Sequence, residues 1–194
     1  MGVLNDRDVE KILVEVEAVL DGHFLLSSGN HASRYVQCAK LLQHPQLAEQ
    51  VISTIAKKVQ VLDEVDVVIG PAMGGIIVAY ELAKALGVRG MWGERDASGK
   101  MALRRGFSIS KDERILIAED VVTTGGSSQE IARLVEDKGG IVAGVACIVD
   151  RRMDRVDLSL PIVSAVRMQI PVYPADDCPL CKRGILFDKP GSKK

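Results

Sequence analysis

Two adjacent carboxylates, Glu119 and Asp120, are followed after two valines by Thr123, Thr124, Gly125, Gly126 and Ser127, all small and rich in hydrogen-bond donors. Residues without bulk let a backbone come close to a guest. If they open a helix, its unpaired N–H groups and positive dipole end point into the turn, where a phosphate is the expected occupant. An acidic pair repels phosphate and suits sugar hydroxyls or a divalent cation instead. The stretch therefore predicts a ligand with a phosphate at one end and a polyol beside it, such as a ribose 5-phosphate. A Walker loop would need a Lys before its Ser/Thr, and a dinucleotide fingerprint spaces its glycines differently. An ordinary turn in a parallel α/β protein accounts for the glycines but not for the two acids.

The elements that must hold these groups are legible in the hydrophobic pattern. The apolar run Ile115 to Ala118 reads as a strand that stops at the acids. After the loop, Ser127 and Glu130 fit a capping box, and Ile131, Leu134 and Val135 give one apolar helix face before Gly139-Gly140 ends it. A second unit of the same kind runs from the β-branched stretch Val65 to Ile69, through Gly70-Pro71-Ala72-Met73-Gly74-Gly75, into a helix from Ile76 to Leu86 closed by Gly87. A strand from Val88 to Trp92 leads into Glu94 to Gly106, which holds Arg95, Lys100, Arg104 and Arg105 among small residues with no sustained period. By itself that run is a solvated loop. The strand Ile141 to Val149 ends in Asp150-Arg151-Arg152. An arginine at the C-terminal end of a parallel strand lies where ligands bind in open α/β sheets, and its planar fork matches a carboxylate.

Outside these units the spacing predicts a helix over residues 5 to 20, capped by Asn5 or Asp6 and broken at Gly22, and a second over residues 46 to 62. Between them, Phe24 to Tyr35 reads as a loop and strand. Pro161 to Val166 and Ile170 to Tyr173 complete the sheet or form an appended pair, and residues 176 to 194 are a tail.

The bulk composition narrows the function. A chain of 194 residues that is 47% hydrophobic can bury one full core, so a single domain over 1–194 is expected, with 1–45 as an N-terminal segment. Basic and acidic residues nearly cancel, 25 against 26, which argues against nucleic acid and anionic membranes as partners and for a small-molecule site. No secretory pattern opens the chain and no apolar segment reaches bilayer length, so a soluble, cytoplasmic protein is expected. Four cysteines are too few for a disulfide scaffold. Cys178-Pro-Leu-Cys181 has half the spacing of a zinc ribbon, but His23, His31 and His44 are far off in sequence, and only the fold or a partner chain could complete a four-ligand site. The reading adopted is a turn with two exposed thiols and no metal.

The stretch from Glu119 to Ser127 resembles the phosphoribosyl-pyrophosphate (PRPP) motif of the type I phosphoribosyltransferases. Phe24, Leu26, Ser28, Gly29, Ser33 and Tyr35 are similar to the N-terminal pattern of the orotate phosphoribosyltransferases within that family, with one residue added before the second serine. One position departs: Ser27 stands where many orotate enzymes place a Lys, so the positive charge must come from elsewhere, with Arg34 and Lys40 nearby. The resemblance covers Phe24 to about Arg152, several motifs in the same order. It implies an α/β fold with a mostly parallel sheet flanked by helices and a small N-terminal hood over the base site, which Phe24 and Ser27 would help form. It also implies transfer of phosphoribose from PRPP to orotate, with Mg²⁺. Thr123 to Ser127 would bind the 5-phosphate, and the amides of Ala72, Met73, Gly74 and Gly75 the pyrophosphate. Glu119 and Asp120 would serve the ribose, and Arg151 the orotate carboxylate. The basic run would be a lid, with Arg95 and Lys100 the counterparts of its usual cations, Arg104 assisting and the usual His missing. Such lids often reach into a neighbouring subunit's site, so a homodimer is implied. A purine or uracil phosphoribosyltransferase would share the PRPP motif but not the Phe24 to Tyr35 pattern or Arg151. A PRPP-sensing regulator would carry an added nucleic-acid-binding surface.

Overall fold

The structure is a computed structural model that describes residues 4–26, 28–62, 64–154 and 156–190. Its elements in chain order are α1 (Asp6–Glu15), β1 (Val19–Leu25), β2 (His31–Val36), α2 (Ala39–Leu42), α3 (Pro45–Val59), β3 (Val67–Pro71), α4 (Gly74–Leu86), β4 (Arg89–Arg95), β5 (Met101–Leu103), β6 (Arg114–Val122), α5 (Gly126–Asp137), β7 (Ile141–Asp150), β8 (Ile162–Arg167), β9 (Val172–Tyr173) and α6 (Pro179–Lys182), with a 3₁₀ turn at Ala175–Asp177. Six strands form the main sheet in the order β5-β4-β3-β6-β7-β8, all parallel except the edge hairpin β4–β5. The α/β architecture with a mostly parallel central sheet is as the sequence predicts.

Strand alternation divides the core in two. Val68, Leu116, Ala118, Ala146 and Ile148 face the layer built by α1, α3 and α4. Val67, Ile69, Ile115, Ile117, Val145 and Cys147 face the other way, against Ile131, Ala132 and Val135 of α5. Both faces of β3, β6 and β7 are thus buried, which is why their sequences are continuous β-branched runs rather than alternating ones. Burial of Ile115 or Ile117, each fully inaccessible, is worth roughly 1.5–3 kcal/mol per side chain, and this holds the strand ends in place for the loops they carry. Among the described residues no helix is long and apolar enough to cross a membrane.

Four local expectations are corrected. The first helix ends at Glu15: Asn5 caps it, accepting from the Asp8 amide at 3.0 Å, but Glu17 takes a positive φ of 56° and the chain turns into β1. Val19 and Leu20, which continue the helical spacing, pair instead with Val36 and Tyr35 of β2, so cross-strand pairing overrides the local pattern. Gly22 therefore breaks no helix. It lies where β1 shifts register, and a Cβ there would sit 3.0 Å from the Phe24 ring. Third, the basic segment is no irregular loop: β4 runs on through Arg95, turns at Asp96 to Lys100 and returns as β5. Fourth, Ser127 caps nothing. Helix α5 starts from Gly125 at φ 74° without a side-chain cap, and Glu130 is drawn away to Arg95.

The smaller sheet, β1-β2-β9, is antiparallel and joins the hood to the C-terminal tail. Of the expected strand Ile170 to Tyr173, only Val172 and Tyr173 pair, and they belong to this sheet rather than beside β8. The tail closes on β1 as well: the Leu25 amide donates to the Asp188 carbonyl and the Asp188 amide to the His23 carbonyl, both at 2.8 Å.

Candidate functional site

The C-terminal ends of β3, β6 and β7 meet beneath the hood, and the sequence-predicted groups divide there by burial. Strand β6 does not stop at the acids; it carries both within it, Glu119 opposite Cys147 of β7, before ending at Val122. Glu119 is buried, with the Ser128 hydroxyl donating to it at 3.4 Å. Burial, then the charge of Asp120, pushes its carboxyl up to about 8 against the single opposing hydrogen bond. Asp120 is shifted upward by burial too, opposed by the Val121 amide, which donates to its carboxylate at 2.8 Å. Neither acid has a cation paired with it among the described residues. Two desolvated carboxyl groups without a counter-ion are costly to ionise, and such a pair marks a place where a ligand supplies the missing charge.

The two glycine loops lie side by side around these acids. The Asp120 carboxylate rests directly over Gly74, so that any Cβ at Gly74 would overlap it, and a Cβ at Gly75 would lie 2.7 Å from the Ala118 carbonyl oxygen. Helix α4 can start this close to β6 only because both positions are glycine. The Ala72–Met73 peptide is cis, the Ala72 amide donates to the Gly93 carbonyl at 2.8 Å, and the Met73 side chain is 83% exposed. In the second loop Thr123, Thr124, Gly126 and Ser127 are exposed, while Gly125 is packed against Leu158. The first turn of α5 opens towards solvent, where the N–H groups of a helix N-terminus have no partner within the helix.

Arg151 follows β7, its amide donating to the Val122 carbonyl at 2.8 Å, which sets it beside the acid-bearing strand. Its neighbour Arg152 takes Asp150 in a two-pronged ion pair, Nε to Oδ1 and Nη2 to Oδ2, each 3.0 Å. Among the described residues Arg151 is left without a carboxylate, and its Nε is buried and unpartnered. Burial lowers its proton affinity, a cost only partly offset by Tyr35 and Cys38. Cys38 in turn points its thiol at the Asp120 carbonyl, 3.6 Å away, so the hood lies over both the acids and the arginine. Tyr35 packs on Phe24, ring centroids 5.8 Å apart, and Phe24 is buried. Ser27 lies outside the described residues. Arg34 and Lys40, the substitute cations considered for its missing charge, are engaged elsewhere: Arg34 bonds Asp21 at 2.6 Å and Glu10 at 2.8 Å, and Lys40 reaches Glu17 at 3.4 Å.

The hairpin cations are arranged differently. Arg95 forks onto Glu130 of α5 at 2.8 and 3.0 Å, Arg104 and Arg105 share Glu94, and Lys100 sits exposed at the turn, its amide on Asp96. Arg95 thus ties the hairpin to the helix behind the second glycine loop, and Lys100 at the tip is not brought to the acids. The two thiols of the C-terminal motif are corrected in part: Cys178 is buried and only Cys181 is exposed.

Residues 37–169 match the phosphoribosyl transferase domain family. A parallel sheet with a glycine loop, an acid pair and a second glycine loop at one edge is what that family builds, and the chain belongs to it. An orotate phosphoribosyltransferase from Caldanaerobacter subterraneus subsp. tengcongensis is 50% identical over 191 residues, covering 98% of this chain and all of the relative. The crystal structure of orotate phosphoribosyltransferase from Aeropyrum pernix superposes with a TM-score of 0.68 at 26% identity, over 83% of this chain and 94% of that one. That of Mycobacterium tuberculosis in complex with inorganic phosphate gives 0.62 at 26%, over 82% and 94%. Within the family the chain falls among the orotate phosphoribosyltransferases.

Proposed function

We propose that the protein transfers the 5-phosphoribosyl group of PRPP to orotate, giving orotidine 5′-phosphate and pyrophosphate in pyrimidine synthesis. The observation that carries this reading is Arg151, a half-buried guanidinium with no ion-pair partner among the described residues, while the adjacent Asp150 is taken by Arg152. A base bearing a carboxyl group would complete it; adenine, guanine or uracil would leave it unpaired. As the C1–O bond loosens, positive charge grows on the ribose and negative charge on the pyrophosphate. In this reading Glu119 and Asp120 face the first, Thr123 to Ser127 hold the 5-phosphate, and the Ala72 to Gly75 amides with Arg95, Lys100 and Arg104 face the second. No side chain is needed as general base, because orotate arrives as an anion-prone nucleophile.

Mg²⁺ fits the donor set. The carboxylates are hard oxygen ligands, and the ion keeps waters and phosphate oxygens in its shell, neutralising charge on the leaving group. A homodimer, with the hairpin of one subunit serving the other's site, is supported by an apolar row on α4 and the turn before it: Met73, Ile77 and Tyr80 are spaced for one helix face and are 83%, 46% and 67% exposed. We read the chain as one catalytic domain, with the hood and the tail closing over the sheet edge, working in the cytoplasm.

Mixing protein, Mg²⁺ and PRPP with orotate, uracil or a purine base in turn and measuring pyrophosphate release tests the assignment. Release with orotate alone is expected. Release with adenine or uracil in its place would move the protein to another branch of the family, and none with any base would favour a PRPP-binding regulator.

A further inference from the structure

Far apart in sequence, His23, His31, Cys178 and Cys181 come together where the hood meets the C-terminal tail, with one ligating atom from each lying within 4.8 Å of the other three. His23 Nε2 is 2.7 Å from His31 Nδ1; Cys178 Sγ is 3.5 Å and Cys181 Sγ 3.8 Å from His23 Nε2, and Cys181 Sγ is 3.3 Å from His31 Nδ1. Zinc bonds of ~2.0–2.1 Å to nitrogen and ~2.3 Å to sulfur make a tetrahedron with edges of about 3.3–3.8 Å, so these three nitrogen–sulfur separations already fit, while the two rings must part and any pair nearer the 4.8 Å limit must close in.

The surroundings are those of a metal ligand set. The Ile185 carbonyl can only accept, so His23 Nδ1, 2.7 Å away, carries the ring proton and Nε2 presents its lone pair to the cluster. His23, His31 and Cys178 are buried, and the Phe187 ring covers both imidazoles at centroid distances of 5.8 and 5.1 Å. The tail also needs a fastening. Between Val172 and Pro190 the single buried residue is Cys178, at 1% exposure, and Leu186 is 93% exposed. A segment with so little apolar burial cannot offset the entropy of being ordered, and small units in this position are commonly closed by a metal or a disulfide.

We propose that His23, His31, Cys178 and Cys181 bind one Zn²⁺ ion, which staples the C-terminal tail to the β1–β2 hairpin. Two thiolates and two imidazoles in a tetrahedron select zinc over the hard cations, and four protein ligands leave no open position, so the ion is structural.

The test is metal content and thiol state of the full-length protein purified under reducing conditions. Mass-spectrometric metal analysis should find about one zinc per chain, retained in Asp120→Asn and lost in Cys181→Ser and in Cys178→Ser/Cys181→Ser. Losing even a hydrogen-bond partner of a metal ligand costs about 10- to 100-fold in affinity, so losing a ligand should weaken zinc binding by more than that. Cobalt substituted for zinc should show thiolate charge-transfer absorption that the double variant lacks, and chelation should open the tail to protease while far-ultraviolet circular dichroism stays unchanged. Equal zinc in wild type and double variant, failure of the reduced wild type to take up added Zn²⁺, or a Cys178–Cys181 disulfide in its place would overturn the proposal. Cys181 is exposed, so its serine variant should fold and give a decisive answer even if the double variant does not.

Discussion

The sheet edge and the β4–β5 hairpin both carry charge, but in opposite states. At the edge, Glu119, Asp120 and Arg151 are desolvated and lack ion-pair partners among the described residues, whereas on the hairpin Arg95, Arg104 and Arg105 are exposed and matched to Glu130 and Glu94. Exposed pairs of the second kind contribute only ~0–1 kcal/mol and exchange partners freely. Buried ionisable groups left unpaired cost more than that to charge, which is why Glu119 keeps its proton, and they persist where a ligand completes them. The edge is thus set for its ligand in advance, while the hairpin holds cations that can be handed over.

If this contrast is real, breaking the edge should cost most. Asp120→Asn keeps shape and removes charge, and should lower kcat by up to about 1,000-fold, the scale for a lost electrostatic contact to the transition state. The fold should not suffer, since the amide relieves a desolvated carboxylate; thermal melting should stay level or rise while turnover collapses. Wild-type turnover at saturating substrate would remove the acid pair from the mechanism.

Arg151→Ala should follow. Removing one partner of a desolvated pair costs roughly 3 kcal/mol at the lower end, or some 150-fold in orotate affinity, with PRPP binding nearly unchanged. Separate titrations by calorimetry decide it. Equal losses for both ligands would mean that Arg151 supports the edge as a whole rather than the base.

On the hairpin, Lys100→Ala should reduce kcat by about 100-fold with little change in orotate affinity, because its cation would meet charge that peaks in the transition state. A change confined to orotate affinity would reverse the contrast. Mixing this variant with Asp120→Asn tests the shared lid: heterodimers with one site free of both lesions would recover at most half of full activity, and no recovery after confirmed subunit exchange would mean that each hairpin serves its own site.

A separate effect, spread over several pH units, is on stability against pH. Glu119 holds its proton to about 8 in the folded chain but only to its ordinary value when unfolded. The folded state therefore binds more protons between those limits, and this contribution is fully present below the unfolded pKa and lost as pH rises towards 8, at no more than about 1.4 kcal/mol per pH unit. Melting temperatures of the ligand-free protein should decline over that window, and Glu119→Gln should flatten the decline. An unchanged slope would place the titration elsewhere.

Much of the site was legible without coordinates, because its parts are local. A β-branched run buried on both faces, a glycine loop and an amphipathic helix each announce themselves within a dozen residues, so the three strands that end at Pro71, Val122 and Asp150 and the loops after them were found in order, though not their last residues. Boundaries failed where a distant strand competed: Val19 and Leu20 keep helical spacing yet pair with β2, and Glu130 looks like half of a capping box until Arg95 arrives from across the sheet.

What tertiary structure alone decided is who pairs with whom. Residue type alone does not separate Arg151 from Arg152, which only the resemblance told apart, and packing gives Asp150 to the second and leaves the Nε of the first unpartnered. His23 and Cys178 are 155 positions apart, and no periodicity links them. They meet because β9 adds to β2 and the tail returns along β1, contacts whose favourable energy appears only once the chain has closed on itself. Sequence determined which groups could do chemistry, since that is a property of side chains and short spacings; the closing of the long loops decided which of them were left unpaired to do it.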